Sequence, residues 1–187
     1  AGRVDALNVF DGSRTGAFED KYYKYLNVGL RLPISTGTDW FMYDFSRDYI
    51  AMKGPPTIAG WLDGLKAGRC VLTNGPLVTL TVDGKSPGDV LNLDGARKLK
   101  VELAAIGRHD FEQVELVMNG KVIARETPQK QAGGHRATLS REVTADSPAW
   151  LAARVLSRTR NEYGEALFAH TSPVYVDQAG RRCFNVD

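Results

Sequence analysis

Apolar and polar residues alternate along most of the chain after residue 69, and this period of two is the feature that most constrains the fold. The segment 98–106 (KLKVELAAI) shows it clearly, because its large aliphatic residues fall at every second position. Such alternation is typical of a β-strand with one buried face. Asn119-Gly120 lies between two apolar runs and is a strong signal for a two-residue hairpin turn. The sequence therefore predicts antiparallel strands joined by short turns.

Seven or eight such strands can be placed between residues 70 and 177. This number and spacing favour a sandwich of two antiparallel sheets with an immunoglobulin-like shape. The chain has no Cys-Trp-Cys arrangement, which argues against a true immunoglobulin domain. The expected core contains Leu99, Val101, Leu103, Val114, Leu116 and Leu139.

The first 69 residues follow a different pattern, in which strands alternate with helices. Apolar residues at helical spacing predict a helix over 19–30 and a second over about 57–67, between short strands at 4–10 and 32–36. The second helix carries an apolar stripe that we expect to be buried, formed by Ile58, Trp61, Leu62 and Leu65. We therefore divide the chain into residues 1–69 and a β-sandwich domain, residues 70–187.

Composition excludes several classes of protein. The 187 residues are enough for one full domain. The net charge is +2 and there are no long runs of like charge, so the sequence does not indicate a binding surface for nucleic acid or an anionic membrane. No apolar stretch approaches the length of a membrane-spanning helix. Cys70 and Cys183 form neither a CxxC pair nor a zinc-binding spacing, so we interpret them as two unlinked thiols.

Asp39 is the strongest candidate for chemistry in the first 69 residues. A strand–helix–strand order suggests a parallel pair, and functional groups gather at the carboxyl ends of parallel strands, where Asp39 follows Gly37-Thr38. Its carboxylate there would bind a divalent metal or act as a base. The alternative is a purely structural aspartate in a turn or at a helix N-terminus.

Several short motifs, taken together and in order, resemble one known family. Residues 22–33 (YYKYLNVGLRLP) and 35–39 (STGTD) resemble the carbaryl-hydrolase-like branch of the PHP (polymerase and histidinol phosphatase) metallohydrolases. The resemblance continues through most of the chain in segments 61–69 (WLDGLKAGR), 73–76 (TNGP), 82–84 (VDG), 87–89 (PGD) and 170–176 (HTSPVYV).

The resemblance implies a distorted (β/α) barrel that binds zinc or manganese and hydrolyses a small-molecule substrate with metal-activated water. It implies that Asp39, in the Gly-Thr-Asp motif, belongs to the metal centre. Arg47 resembles an arginine near the family's site and would bind an anionic group of the substrate; the alternative is a surface ion pair. His170 would contact the site across the domain boundary; the alternative is a structural histidine.

The sequence also departs from the family's pattern. A PHP metal site begins with a His-x-His pair, whereas the three histidines here are isolated, and His109 and His135 are placed in exposed loops. Position 41 is Phe where the wider superfamily has histidine. One carboxylate cannot hold a catalytic zinc, which needs about three protein ligands. We therefore expect a truncated chain, with no bound metal and no activity of its own.

The predicted fold is of the α+β class: the last strands and helices of a PHP-type barrel joined to the sandwich. The first functional hypothesis is the C-terminal part of a divalent-metal-dependent hydrolase that cleaves an ester, carbamate or phosphoester. The alternative is a non-catalytic β-sandwich that binds a ligand or a partner, a second copy of the chain included. Exposed aromatics at Trp40, Phe41 and Tyr43 would line a ligand cleft or pack against a neighbouring element.

Overall fold

A computed structural model of the chain describes residues 4–11, 19–37 and 46–185. Of these residues, 53% lie in strands and 11% in helices. The helices are α1 (Glu19–Asn27) and α2 (Ile58–Lys66). The strands are β1 (Leu7–Asp11), β2 (Ile34–Gly37), β3 (Arg47–Ile50), β4 (Cys70–Thr73), β5 (Leu77–Val82), β6 (Val90–Leu93), β7 (Arg97–Gly107), β8 (Val114–Met118), β9 (Lys121–Glu126), β10 (Gln129–Gln131), β11 (Gly134–Ala145), β12 (Ala149–Arg160), β13 (Ala166–Thr171) and β14 (Val174–Gln178).

Two packed sheets form the larger part of the molecule, and the predicted β-sandwich is confirmed. The four-stranded sheet has the order β10-β11-β7-β5. The eight-stranded sheet has the order β3-β4-β13-β12-β14-β6, with β8 paired to β12 and β9 paired to β8. The hairpin predicted at Asn119-Gly120 joins β8 to β9, and both turn residues have positive φ, at 51° and 84°. The alternating pattern after residue 69 therefore predicted this part of the architecture correctly.

The core between the two sheets consists of the inward-facing residues that the alternation predicts. Leu99, Val101 and Leu103 of β7 are buried, as are Val114 and Leu116 of β8. Leu139 of β11 is only partly buried and packs against this core.

The central strands of the eight-stranded sheet are buried on both faces, because α1, β1 and β2 cover the face that points away from the sandwich core. Along β12, Leu151, Ala153 and Val155 belong to the sandwich core, whereas Trp150 and Ala152 belong to a second cluster shared with α1. A strand with both faces buried has apolar residues almost without interruption, as the segment 149–156 (AWLAARVL) does. The described residues thus form three layers.

The predicted fold class is wrong in two respects. β1 and β2 are parallel and are joined through α1, as the strand–helix–strand pattern predicted, but the described residues contain only one other parallel pair, β6 with β14 in the eight-stranded sheet, and form no barrel or barrel remnant. The remaining sheets are mainly antiparallel, and their four-plus-eight arrangement differs from the smaller sheets of an immunoglobulin domain. The apolar positions of α1 pack on the sandwich instead of on a larger parallel sheet.

The buried face of α2 also differs from the prediction. Thr57 caps the helix N-terminus by accepting a hydrogen bond from the backbone N–H of Gly60, at 3.0 Å. However, Ile58 is 83% exposed and Leu62 is 44% exposed. The helix approaches β3 through Gly64, where an added Cβ would lie 2.3 Å from the Ile50 side chain. With Gly64 against β3, Ile58 and Leu62 face the solvent, while Trp61 is partly buried and Leu65 packs against the second cluster.

The proposed domain division at residue 69 stays a prediction. β3 lies before that boundary and pairs antiparallel with β4 after it, so the eight-stranded sheet takes strands from both sides. Strands β3, β6 and β10 were not predicted, and the exposed strand β10 forms a short hairpin with the start of β11. Neither described helix is long and apolar enough to cross a membrane.

Candidate functional site

The principal polar cluster lies between α1 and the eight-stranded sheet. Side chains alternate between the two faces of a strand. Arg154 of β12 therefore shares a face with Trp150 and Ala152, and His170 of β13 and Glu115 of β8 lie on that same face. Helix α1 completes the cluster with Glu19 and Tyr23, which are one turn apart. We call Glu19, Tyr23, Glu115, Arg154 and His170 the interface cluster.

Arg154 joins the two carboxylates of the interface cluster. Its Nη1 lies 2.5 Å from Glu19 Oε1, and its Nε lies 2.7 Å from Glu115 Oε2. Both carboxylate side chains are at most 5% exposed. Glu115 has a second cationic partner in Arg125, at 2.7 Å. Burial favours the protonated form of Glu115, but Arg125 and Arg154 outweigh it and hold the pKa of this carboxyl below its ordinary value.

His170 is fully buried and contacts α1 through Tyr23. Its Nε2 lies 2.8 Å from Tyr23 Oη, and its Nδ1 lies 2.7 Å from the carbonyl oxygen of Thr171. The Tyr23 hydroxyl also hydrogen-bonds to Glu19 Oε1. Burial lowers the pKa of His170, while the nearby Glu19 carboxylate opposes this effect. Burial together with Glu19 raises the pKa of Tyr23, so its phenol stays protonated.

A second set of polar groups lies beside the interface cluster. The thiol of Cys70 lies 2.8 Å from Ser172 Oγ and donates to the carbonyl oxygen of Ile34, at 3.1 Å. Burial raises the pKa of Cys70 to about 11, so this thiol is a poor nucleophile at neutral pH. Its hydrogen bonds attach β2 to the sandwich instead.

Side chains of β3 hold the end of β2. The Asp48 carboxylate accepts the backbone N–H of Thr36 at 2.8 Å, and Ser46 Oγ donates to the carbonyl oxygen of Gly37 at 3.0 Å. Residues 37 and 46, on either side of the segment 38–45, are therefore in direct contact. Burial raises the pKa of Asp48 to about 6. Asp39, the predicted metal ligand, lies outside the described residues, as do Trp40, Phe41 and Tyr43.

The structure does not bring the other predicted site residues together. Arg47 of β3 lies opposite Thr73 of β4, which in turn lies opposite Ala169 of β13. The next residue of β3, Asp48, lies opposite Leu72, which lies opposite His170. Because neighbouring residues of a strand point to opposite faces, Arg47 and His170 lie on opposite faces of the sheet. Arg47 is exposed and donates to the carbonyl oxygen of Ser46. The substrate-binding roles of Arg47 and His170 stay predictions.

The described residues do not fit the metal centre that the resemblance implies. No group of three or more His, Cys, Asp or Glu side chains within 4–11, 19–37 and 46–185 could hold a metal ion. Glu19 Oε1 and His170 Nε2 lie 3.7 Å apart, but Tyr23 contacts both atoms and the Arg154 guanidinium occupies the carboxylate. A metal ion between these two atoms would have to displace the Arg154 guanidinium from the Glu19 carboxylate, which only replaces one positive charge by another. His109 and His135 are partly exposed and lie near one end of the four-stranded sheet.

Sequence reasoning missed four of the five interface-cluster residues. Arg154 interrupts an otherwise apolar strand, and a single charge within a strand buried on both faces usually indicates a buried partner. His170 interrupts the similar run 166–176 (ALFAHTSPVYV). A polar residue within an apolar run could therefore have identified Arg154 and His170 as buried groups with buried partners. The sequence around Glu19, Tyr23 and Glu115 does not show whether they are buried, because each of them would fit the solvent-exposed face of an amphipathic helix or strand as well as a buried position.

The motifs that carry the family resemblance meet in space. Gly88 N–H donates to the carbonyl oxygen of Pro173 at 2.8 Å, and a Cβ at Gly88 would lie 2.1 Å from the carbonyl oxygen of Ala67. Segments 61–69, 87–89 and 170–176 therefore contact one another. Asn74 of segment 73–76 accepts from the N–H of Phe168 and donates to the carbonyl oxygen of Ala166, both at 2.8 Å. Tyr23 links segment 22–33 to the same region through His170.

A scan against models of protein families finds no match to this chain, and a search of curated proteins finds no similar sequence.

Proposed function

We propose that this chain is the C-terminal part of a divalent-metal-dependent hydrolase related to the carbaryl-hydrolase-like branch of the PHP superfamily. In this proposal the β-sandwich is a non-catalytic scaffold, and Asp39 is one ligand of a zinc or manganese centre whose other ligands lie outside the 187 residues. The substrate is a small molecule with an ester, carbamate or phosphoester bond.

The observation that supports the proposal is the convergence of the motifs. Segments 61–69, 87–89 and 170–176 were grouped by resemblance alone, and they contact one another around Gly68 and Gly88. Tyr23 of segment 22–33 contacts His170 of segment 170–176.

The first experiment uses the complete gene product. Asp39→Ala is expected to lower metal content and the rate of hydrolysis of generic nitrophenyl esters, carbamates and phosphoesters together, each by more than roughly tenfold. Asp94→Ala removes an exposed carboxylate on the sandwich and is the matched control. An Asp39→Ala protein with unchanged metal content and rate would refute the assignment.

The second experiment uses the 187-residue chain. Zinc or manganese is expected to bind weakly and to produce no turnover, because a single carboxylate cannot hold a metal with the geometry that activates water. Stoichiometric, tight binding with turnover would contradict the idea that the remaining ligands lie elsewhere.

A second candidate function is ligand binding by the sandwich itself, and one cleft favours it. An open, largely apolar cleft of about 500 Å³ lies between β5 and the β3–β4 pair, lined in part by Tyr49, Ile50, Leu77 and Pro87. Tyr49 is 53% exposed at its edge. If the cleft binds apolar ligands, Tyr49→Ser should weaken binding of an apolar fluorescent probe, whereas Tyr163→Ser, at a residue of similar exposure elsewhere, should not. Equal effects of the two substitutions would argue against this function.

A further inference from the structure

The cleft between β5 and the β3–β4 pair is open because a sheet ends on each side of it. β5 is the last strand of the four-stranded sheet, and β3 is the last strand of the eight-stranded sheet. The space between them has a volume of about 500 Å³, which lies within the range of small-molecule sites in proteins. The cleft therefore gives a ligand access to part of the sandwich core, including Val78 and Leu80 of β5.

Arg69 is the one charged residue among the described residues that line this cleft. Side chains alternate between the two faces of a strand, and Cys70 and Leu72 of β4 belong to the cluster on the α1 side of the sheet. Arg69 and Val71 therefore face the other side, where the cleft lies. Arg69 is partly buried, and within the described part of the chain its guanidinium has no hydrogen bond or ion pair. This cation is therefore available to a ligand.

The Arg69 side chain lies at one end of the cleft. The carbonyl oxygen of Arg69 accepts the N–H of Ala51 at 2.8 Å, which continues the pairing of β3 and β4 beyond the two strands. A Cβ at Gly68 would lie 3.4 Å from the Cα of Gly88, so the chain just before Gly88 lies beside Arg69. Ser86 adds a hydroxyl group to the lining there. This end of the cleft is therefore polar and positively charged.

The other end of the cleft is apolar. Leu77 follows Pro76, whose carbonyl oxygen accepts the hydroxyl of Thr73 at the far end of β4. Tyr49, opposite the middle of β4, lies between the two ends. At about 3.3 Å per residue, the distance from Arg69 to Thr73 is roughly 13 Å along the strand. The cleft therefore joins a cation to an apolar surface over the length of a small amphipathic molecule.

We propose that this cleft binds an organic acid with an apolar body and one carboxylate, and that Arg69 holds the carboxylate. The proposal rests on the second candidate function, ligand binding by the sandwich, and adds the chemical class of the ligand. The alkyl or aryl body packs against Tyr49 and Leu77. The guanidinium presents parallel N–H donors whose geometry matches the two oxygens of a carboxylate.

The charges around the cleft favour an anion with a single negative charge. Two carboxylates of neighbouring segments have partners elsewhere: Asp48 accepts the N–H of Thr36 on the other face of the sheet, and Asp89 accepts the N–H of Ser86. A cationic ligand would be repelled by Arg69, and a neutral one would leave the guanidinium without a counterion. A phosphate monoester would bring up to about two negative charges to one cation. A carboxylate balances it.

The experiment titrates two probes with the same apolar body, pyrenebutanoate and pyrenebutanol, into the 187-residue chain at pH 7 and follows pyrene fluorescence. Arg69→Met keeps an apolar stem and removes the charge. Arg158→Met, at an arginine whose side chain is 95% exposed on β12, is the matched control. The preference for the carboxylate is the ratio of the two dissociation constants. It should fall about tenfold in Arg69→Met and stay within about twofold of wild type in Arg158→Met.

The outcomes separate the class of ligand from the site itself. Loss of the preference in Arg69→Met, with the preference kept in Arg158→Met, supports the proposal. An unchanged preference in Arg69→Met, with both probes weakened by Tyr49→Ser, overturns the ligand class and leaves ligand binding by the cleft intact. No binding of either probe, or binding of both that Tyr49→Ser leaves unchanged, overturns the two together. Arg69→Gln, which also removes the charge, repeats the comparison if Arg69→Met does not fold.

Discussion

Replacing Arg154 with methionine is expected to destabilise the protein by about 3–5 kcal/mol, because it leaves two buried carboxylates without their shared cation. Methionine has a similar volume and an apolar stem, so the loss of packing is small. Among the described residues, the Glu19 carboxylate then keeps the Tyr23 hydroxyl and lies 3.7 Å from His170 Nε2, whereas Glu115 keeps Arg125 and Gln113. The larger part of the destabilisation therefore arises at Glu19, and Glu19→Gln should recover much of it in the double variant.

The measurement is urea unfolding at pH 7, followed by the fluorescence of the fully buried Trp150, whose ring centre lies 4.9 Å from that of Tyr23. Arg158→Met is the matched control on the same strand. Arg158 is 95% exposed in its side chain and pairs with Glu112 at the surface, so its replacement should change stability by less than about 1 kcal/mol. Equal, small effects of the two substitutions would refute the conclusion that Arg154 compensates buried charge.

Three further predictions follow from burial and charge. Leu116→Ala should destabilise by about 2–5 kcal/mol in urea unfolding because Leu116 is fully buried, whereas Leu77→Ala, at a half-exposed residue, should cost clearly less. Ile58→Ala should change stability by less than about 0.5 kcal/mol, and a larger loss would mean that α2 is packed as the sequence predicted. Burial raises the pKa of Asp48 to about 6, so the folded state keeps a proton that the unfolded chain loses above about pH 4. The free energy of unfolding should therefore fall as pH rises from 4 to 6, and Asp48→Asn should remove this pH dependence.

The parts of the fold that depend on local pattern were predictable. Alternation identified β5 and β7, apolar runs between turn residues identified β8 and β12, and the Asn119-Gly120 turn identified the β8–β9 hairpin, because these signals arise within a few neighbouring residues. Thr57 and the residues after it predicted the position of α2 for the same reason. The apolar stripe did not predict which face of α2 is buried. That face depends on the close approach of Gly64 to Ile50 of β3, which the sequence of the helix does not specify.

The candidate site was only partly predictable. His170 was identified through its motif, but its partners were not, because Glu19 is 151 positions away and reaches it only when α1 packs on β13. The barrel was expected because of the family resemblance, whereas the strand–helix–strand pattern predicted only the parallel unit of β1, α1 and β2. That unit is present, yet its helix packs on the open face of the sandwich.

The sequence by itself determined most of the strands, the main hairpin, most of the sandwich core and the β1–β2 pair, since each follows from periodicity or turn chemistry over short distances. The tertiary structure alone decided that the eight-stranded sheet is covered on both faces and that α2 packs through a glycine. It also decided that Glu19, Tyr23, Arg154 and His170 form one buried cluster. The physical reason is that a charged side chain on a helix and one on a strand have no preferred partner until packing removes both from water, and only then do their distances and charges govern stability.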